Sequence, residues 1–356
     1  MKDEIYIERC LQLAEKGKGT VASNPMVGAV LVYQGRIIGE GFHQQYGQAH
    51  AEVNCFDSVA EEDKEFISQS AMYVSLEPCA HFGKTPPCAH RIVKEGVKRV
   101  VICNKDPFEE VAGKGIQILE TAWIEVICGI LEEKGKWLNR RFFTFHQQKR
   151  PYIILKWAQT ERGFFAPKDR SRLQMTDEFS SRLSHQWRRE ESAILVGFTT
   201  AINDNPQLID RFGQATQPLR IALDKDLKLP QSHNLLAQHY PTWIINQHKE
   251  ESVGHLHFIQ LDFKQDIIPQ LLNRLYQANI LSLIVEGGVQ LLQSFIEAQI
   301  WDEARVFETP NVLTEGLLAP SLMKAQDIFE ANLRQDKLKG YLSQSSIYTM
   351  PKDANF

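Results

Sequence analysis

Residues 75–90 read SLEPCAHFGKTPPCAH and place two cysteines, Cys79 and Cys88, nine positions apart. The spacer between them holds a glycine, a lysine and the pair Pro86-Pro87, and a Glu-Pro pair precedes the first cysteine. All six cysteines of the chain lie in its first 128 residues. A disulfide framework is unusual in a chain this long without a secretory signal, so free thiols or a metal site are expected.

A third ligand for such a metal stands in the tripeptide HAE at residues 50–52. A tetrahedral zinc held by one histidine and two cysteines keeps its fourth position open for water, as catalytic zinc sites do. Glu52, two residues after His50, would then lie beside that water and carry a proton to a leaving group. H-x-E followed by P-C-x-x-C is the signature of zinc-dependent deaminases, and here only the second cysteine is delayed.

The simpler interpretation is that two cysteines and a histidine are ordinary core residues. Glu52, Pro78 and the predicted strand–helix setting favour the metal site instead. The remaining cysteines lack such neighbours and are predicted to be small buried apolar residues; they are Cys10, Cys55, Cys103 and Cys128. His81 and His90 are predicted to lie on the surface or next to the ligands.

The length of 356 residues suggests two domains. A boundary fits after residue 146, where the helical stretch RRFFTFHQQKRP (140–151) ends at a proline. Strand and helix patterns alternate on both sides of it, which predicts an α/β protein with largely parallel sheets covered on both faces. A hairpin is predicted at Gln34-Gly35.

The charge and hydropathy patterns exclude several classes of protein. A net charge of −4 provides no basic field for nucleic acid. The acidic, amphipathic first residues are unlike a signal peptide, and no apolar run approaches the roughly 18 residues that span a bilayer. We therefore expect a cytoplasmic protein with neither nucleic acid nor membrane as a partner.

Three features stand out in the second half. VEGG (285–288) would end a strand and present backbone N–H groups to a phosphate. GFTTAINDNPQLIDR (197–211) gathers polar residues in a short loop, and LKWA (155–158) puts Lys156 inside an apolar strand. A Gly-Gly turn, a solvated loop and a snorkelling lysine are the simpler interpretations. No G-x-G-x-x-G occurs, so a Rossmann fold is not supported.

The first half resembles the deaminase domain of the bifunctional riboflavin-biosynthesis deaminase/reductase family. The motifs that carry the resemblance are SNPMVGAVLV, GRIIGEGFH, GQAHAEV, YVSLEPCAHFGKTPPC and VAGKG. The resemblance implies a cytidine-deaminase-like three-layer α/β/α domain over residues 1–146, with Zn²⁺ held by His50, Cys79 and Cys88 and proton transfer by Glu52. It also places four residues in the substrate pocket: Asn24, His43, Lys84 and Asp106.

The second half resembles the reductase domain of the same family through LKWA, RREESAILVGFTTAINDNPQL and LIVEGG. This implies a dihydrofolate-reductase-like α/β domain over residues 147–356 that uses NADPH. The implied substrate contacts are Arg172, Arg188, Leu208, Arg211 and Glu286. Arg188 and Arg211 suit a phosphate because guanidinium offers paired donors. The implied cofactor contacts are Ala158, Gln174, Thr200, Asp204 and Gly288, and Lys156 would pair with Glu286 in catalysis.

The implied function has two steps. A phosphoribosylamino diaminopyrimidinone loses an amine to give 5-amino-6-(5-phosphoribosylamino)uracil, and NADPH then reduces its ribosyl group to ribityl. Family members imply a homo-oligomer, either a dimer or a tetramer. The alternatives are a deaminase of polynucleotide bases, a zinc-stabilised scaffold, or a deaminase whose reductase half is weak or inactive. The last follows from departures from the family pattern over residues 161–174, where Gln174 replaces an aromatic residue. A further departure, at Phe108, removes an asparagine that the family pattern places at the deaminase substrate.

Overall fold

The computed structural model describes residues 2–80, 86–109, 111–169, 171, 173–213, 217–310 and 313–352. The chain forms two compact units. Residues 2–148 and 348–352 belong to the first, and residues 149–347 to the second. Both units are α/β, which confirms the predicted fold class.

The first unit is built on a five-stranded sheet of order β2-β1-β3-β4-β5. Its strands are β1 (Gly28–Tyr33), β2 (Arg36–Phe42), β3 (Ala71–Leu76), β4 (Arg99–Asn104) and β5 (Glu125–Cys128). Strand β1 runs antiparallel to both neighbours, whereas β3, β4 and β5 are parallel. The prediction of a largely parallel sheet therefore holds for only half of the strand pairs. The predicted β1–β2 hairpin is confirmed, with φ of 48° at Gln34 and 84° at Gly35, the left-handed backbone of a tight hairpin turn.

Helices cover both faces of this sheet. They are α1 (Lys2–Glu15), α2 (Ala51–Asp57), α3 (Cys88–Glu95), α4 (Lys114–Thr121), α5 (Glu132–Leu138) and α6 (Arg140–Gln148), with a 3-10 helix at Glu61–Gln69. Alternate residues of β1 point to opposite faces because side chains alternate along a strand. Ala29 and Leu31 join the core under α2, α3 and α4, while Val30 and Val32 join the core under α1. The result is the predicted three-layer arrangement.

The second unit contains a ten-stranded sheet of order β11-β12-β10-β9-β8-β13-β6-β14-β17-β16. Its strands are β6 (Tyr152–Thr160), β8 (Ala193–Val196), β9 (Leu219–Leu223), β10 (Thr242–Asn246), β11 (Glu251–Val253), β12 (Leu256–Gln260), β13 (Ser282–Val285), β14 (Glu303–Thr309), β16 (Ala325–Leu333) and β17 (Asp336–Ser343). The seven strands from β12 to β14 are parallel, and β11, β17 and β16 are antiparallel at the edges. The sequence patterns did not predict β16 and β17.

The shorter elements of the second unit frame this sheet. They are β7 (Phe164–Ala166) paired with β15 (Leu317–Leu318), and helices α7 (Glu178–Glu190), α8 (Phe198–Asp204), α9 (Ile267–Gln277) and α10 (Val289–Glu297), with a 3-10 turn at Asn234–Leu236. Helices α9 and α10 bury apolar stripes against the parallel strands. None of the helices among the described residues is long and apolar enough to cross a membrane.

One cysteine contradicts the sequence prediction. Cys10, Cys55 and Cys103 are buried as expected, but Cys128 is exposed. It ends β5, the edge strand of the first sheet, and both terminal residues of that strand are exposed. An edge strand has a neighbour on one side only, so solvent reaches it.

Candidate active sites

His50, Cys79 and Cys88 converge in the first unit. His50 directly precedes α2, Cys79 follows β3, and Cys88 is the first residue of α3. The His50 Nδ1 atom lies 3.5 Å from Cys79 Sγ and 3.4 Å from Cys88 Sγ. Ideal tetrahedral zinc bonds would separate such nitrogen and sulfur ligands by about 3.6 Å. Among the described residues, this is the one group of three or more His, Cys, Asp or Glu side chains whose ligand atoms all lie within 4.8 Å of one another.

The chemistry of the three donors also fits zinc. Imidazole and thiolate are ligands that zinc prefers. The Cys88 backbone N–H, at the N-terminus of α3, donates to Cys79 Sγ over 3.3 Å, and a helix N-terminus favours negative charge. Hydrogen bonds from Cys88 and then His50 lower the pKa of the Cys79 thiol to about 4, so it is ionised at neutral pH.

A glycine lets α2 bring His50 to this position. A Cβ on Gly41 of β2 would overlap the Ala51 carbonyl oxygen and the Cys55 backbone nitrogen. Helix α2 therefore lies directly on β2, and any larger residue at position 41 would displace the helix that follows His50.

Glu52 lies next to the three ligands in the first turn of α2. Its side chain is buried. Burial, followed by the negative charge of Cys79, raises the pKa of Glu52 to about 7. A carboxyl group with this pKa can both accept and donate a proton near neutral pH.

Asn24 and His43 form a hydrogen-bonded pair beside His50. The Asn24 Nδ2 atom lies 3.0 Å from His43 Nε2, and His43 Nδ1 lies 3.1 Å from the Ala49 carbonyl oxygen. Because a carbonyl only accepts, Nδ1 carries the proton and Nε2 accepts from Asn24. Burial lowers the pKa of His43, which favours this neutral ring. The rings of His43 and His50 meet edge to face at 5.5 Å.

Asp106 lies in the loop after β4 and is held there by Glu77, a residue to which sequence reasoning assigned no role. The Asp106 backbone N–H donates to Glu77 Oε2 over 3.2 Å. The buried Glu77 carboxylate also accepts from three further backbone N–H groups, those of Gly113, Gly115 and Ile116. The only sequence signal for Glu77 was its place immediately before Pro78-Cys79.

Phe108, which departs from the family pattern, packs its ring 5.0 Å from that of His146 on α6. It therefore anchors the loop that carries Asp106. Three further predictions cannot be placed, because Lys84 of the deaminase pocket, Arg172 of the reductase pocket and His81 lie outside the described residues.

A second candidate site is a cavity of about 1260 Å³ in the second unit. It lies beyond the carboxyl ends of strands β8, β9 and β13, the edge where parallel sheets of this kind bind ligands. All ten described residues that sequence reasoning placed in the reductase site line it: Lys156, Ala158, Gln174, Arg188, Thr200, Asp204, Leu208, Arg211, Glu286 and Gly288. The volume exceeds that of a common single-ligand pocket and suits a substrate together with a cofactor.

Lys156, Arg188 and Glu286 form a charged group in this cavity. Arg188 Nε and Nη2 donate to the Glu286 carboxylate at 2.9 and 2.6 Å. Burial opposes ionisation of Glu286, but the charges of Arg188 and Lys156 outweigh it and lower its pKa to about 2. Burial lowers the pKa of Lys156, and Glu286 opposes that shift. The Lys156 ammonium also lies 5.5 Å from the centre of the Phe307 ring.

The two arginines differ in what they can offer a phosphate. The paired donors of Arg188 are occupied by Glu286, and its Nη1 donates to the Ile209 carbonyl at 3.4 Å. Arg211 also lines the cavity, and within the described part of the chain its guanidinium forms no hydrogen bond or ion pair. The assignment of both arginines to the substrate stays a prediction, and in this structure the paired donors of Arg188 are bound to Glu286.

The Gly-Gly turn packs closely against Thr200 of α8. Gly288 precedes α10, and a Cβ there would lie 3.2 Å from Thr200 Oγ1. Gln174 is exposed and its side chain donates to the Thr176 carbonyl oxygen. Sequence reasoning missed His185, which lines the cavity and whose Nδ1 donates to the Ile209 carbonyl oxygen at 2.9 Å.

Comparisons with known proteins agree with this geometry. Residues 1–104 match the family described as the cytidine and deoxycytidylate deaminase zinc-binding region, and residues 151–344 match the RibD C-terminal domain. The riboflavin biosynthesis protein RibD of Aquifex aeolicus is 41% identical over 320 residues, covering 88% of this chain and 89% of the relative. RibD of Escherichia coli is 32% identical over 349 residues, covering 92% and 94%.

Solved structures extend the likeness to three dimensions. The Thermotoga maritima diaminohydroxyphosphoribosylaminopyrimidine deaminase/5-amino-6-(5-phosphoribosylamino)uracil reductase superposes with a TM-score of 0.87 at 33% identity, covering 96% of this chain and 99% of that one. RibD of Acinetobacter baumannii superposes with a TM-score of 0.86 at 30% identity, covering 96% and 98%. With a family match in each unit and relatives aligned over nearly their full length, the chain belongs to the RibD family of riboflavin biosynthesis proteins.

Proposed function

We propose that the chain is a bifunctional enzyme that deaminates a phosphoribosylated diaminopyrimidinone and then reduces its ribosyl group with NADPH. The observation that carries the proposal is the convergence of His50, Cys79 and Cys88 with the buried Glu52 beside them. We assign the deaminase to residues 1–146 and the reductase to residues 147–356. Relatives whose names describe both activities support this assignment.

The first reaction is hydrolytic. The substrate, 2,5-diamino-6-(5-phosphoribosylamino)pyrimidin-4(3H)-one, and water yield 5-amino-6-(5-phosphoribosylamino)uracil and ammonia. Zinc held by His50, Cys79 and Cys88 would supply the Lewis acidity that makes water nucleophilic at neutral pH. Glu52 takes up the proton from water and delivers it to the departing amine, a role that its pKa of about 7 suits.

Asn24, Asp106 and Lys84 are the candidates for orienting the pyrimidine. The bond to His43 fixes the Asn24 amide, so its oxygen and its second N–H group have defined directions. Glu77 holds the Asp106 backbone in the same way. A substrate held in one orientation reacts faster because the entropy cost of alignment is met on binding.

The second reaction takes place in the cavity of the second unit. NADPH supplies a hydride to C1 of the ribose when it is bound, and Thr200, Asp204, Ala158 and the backbone after Gly288 would hold it. Arg211 binds the phosphate of the substrate. Lys156 provides the proton that the ring oxygen gains as the sugar opens to ribityl, and Arg188 keeps Glu286 ionised beside Lys156.

The partners follow from these sites. Phosphoribosylated pyrimidines rather than nucleic acid are the substrates, since a net charge of −4 provides no basic field. We place the enzyme in the cytoplasm, where thiol ligands stay reduced, and expect a homo-oligomer of two or four chains.

The test is to incubate the purified chain with the diaminopyrimidinone, with and without NADPH, and to identify the products by mass. Without NADPH, the product should have one amine replaced by oxygen. With NADPH, it should gain two further hydrogens. If ammonia is never released, the proposal fails. A product that stops at the deaminated stage would favour a weak reductase, the alternative suggested by Gln174.

A further inference from the structure

Asn139 joins the α5–α6 helix pair to the loop that carries Asn24. Its Oδ1 accepts from the Met26 backbone N–H at 2.8 Å, and its Nδ2 donates to the Met26 carbonyl oxygen at 2.8 Å. The two residues are 113 positions apart, and Asn139 is buried. One side chain thus bonds both polar groups of a single backbone residue.

The loop from Asn24 to Val27 has no helix or strand hydrogen bonds of its own. Pro25 has no N–H group. The Asn24 N–H bonds to the Val21 carbonyl, and the Val27 carbonyl accepts from the His43 N–H. Between these two bonds, Met26 is held by Asn139.

The backbone of Asn139 is itself rigid. It caps the C-terminus of α5 and directly precedes α6. Its N–H donates to the Gly135 carbonyl, and its carbonyl accepts from the Phe143 N–H. A side chain fixed by two helices can therefore set the position of the Met26 backbone. Asn24, two residues earlier, donates to His43, whose ring contacts the ligand His50.

We propose that Asn139 is a positioning residue of the deaminase: through Met26 it sets the place of Asn24 at the substrate. The inference rests on the proposed function and names a part of the machinery outside the zinc-binding region at residues 1–104. Only an amide offers one donor and one acceptor in this spacing. An aspartate would accept from the Met26 N–H but repel the Met26 carbonyl, and an alanine would leave both groups without a partner.

The experiment compares Asn139→Ala and Asn139→Asp with the wild type and with Gln117→Ala, which removes an exposed amide on α4. We expect kcat/KM for deamination to fall about tenfold in both Asn139 variants, mainly through a higher KM. Zinc content and NADPH-dependent reduction of the deaminated substrate should remain as in the wild type. A loss of zinc, or a deamination kcat/KM within about twofold of the wild type, would overturn the proposal.

A double-mutant cycle with Asn24→Ala tests the route of the effect. If Asn139 acts through Asn24, kcat/KM of the double variant should be no lower than that of Asn24→Ala alone. If the losses in kcat/KM of the two single variants multiply in the double variant, the residues act independently and the proposal is refuted. Hydrogen exchange provides a readout that needs no turnover. Amides of residues 21–28 should exchange faster in Asn139→Ala while those of residues 71–76 do not change; unaltered protection at residues 21–28 would also refute it. An inactive wild type would instead count against the proposed function.

Discussion

Arg188 and Glu286 form a two-point ion pair inside the cavity of the second unit, with side-chain exposures of only 14% and 8%. The residues are 98 positions apart, on α7 and directly after β13. Burial alone would favour a neutral Glu286, and the pair reverses that preference. The pair thereby keeps a negative charge beside Lys156, the candidate proton donor.

Replacing Arg188 with alanine should leave Glu286 buried without its main partner. Breaking a buried pair from one side costs roughly 3 to 5 kcal/mol. We expect the second unit to unfold at lower urea concentration and reductase activity to fall below detection, while ammonia release persists. Arg188→Lys is the matched control, since it keeps the charge but loses the paired donors. Its stability and reductase activity should lie between those of Arg188→Ala and the wild type. Equal stability of Arg188→Ala and wild type would show that the pair contributes nothing.

The same pair predicts a dependence of stability on pH. The pKa of Glu286 in the folded protein, about 2, lies below its ordinary 4.5. Its ionisation therefore stabilises the folded state above pH 4.5, and this stabilisation is lost as the pH falls through 2. The difference in unfolding free energy between the wild type and Glu286→Gln should therefore shrink by roughly 2 kcal/mol as the pH is lowered from about 6 to about 3. Urea titrations at both pH values measure this, and a constant gap would mean that Glu286 is not held ionised.

Glu52→Gln should separate zinc binding from deamination. The amide keeps the shape of the side chain but cannot carry the proton, so ammonia release should fall by roughly 10² to 10⁴. Zinc content should not change, because Glu52 is not among the three converging ligands. Reduction of the deaminated substrate by NADPH is the internal control. Normal ammonia release in this variant would remove Glu52 from the mechanism.

Gln174 lines the reductase cavity where the family pattern has an aromatic residue. Its exposed amide bonds only to the nearby Thr176 carbonyl among the described residues. Gln174→Trp should tighten NADPH binding about two- to tenfold, the range that a favourable aromatic contact provides. Gln174→Leu controls for added apolar area. NADPH titrations followed by fluorescence measure the change, and weaker binding in the tryptophan variant would place the nicotinamide or adenine ring elsewhere.

Local patterns in the sequence sufficed for much of the first site. His50 and Cys88 stand at the start of helices and Cys79 follows a strand, and short motifs reveal such positions. The Gln34-Gly35 hairpin was predictable for the same reason, because two adjacent residues determine the turn. The family resemblance supplied the reductase residues, whose chemistry alone did not distinguish them from a loop and a snorkelling lysine.

Long-range pairs were not predictable. Nothing near Asn139 indicates that it bonds Met26, and nothing near Glu77 indicates the backbone amides that it accepts from. The ion pair between Arg188 and Glu286 likewise depends on tertiary packing. Cys128 was expected to be buried from its residue type, but the exposure of an edge strand depends on sheet order, which local patterns do not contain.

Zinc content tests the central claim most directly. The purified chain, and variants with His50→Ala or Cys88→Ser, would be measured by elemental analysis, with circular dichroism as the check on folding and Cys128→Ser as the matched control at an exposed cysteine. We predict one zinc per chain in the wild type and in Cys128→Ser, and a loss of zinc in the two ligand variants. A folded wild type that holds no zinc and takes none up, or ligand variants that retain it fully, would contradict the account.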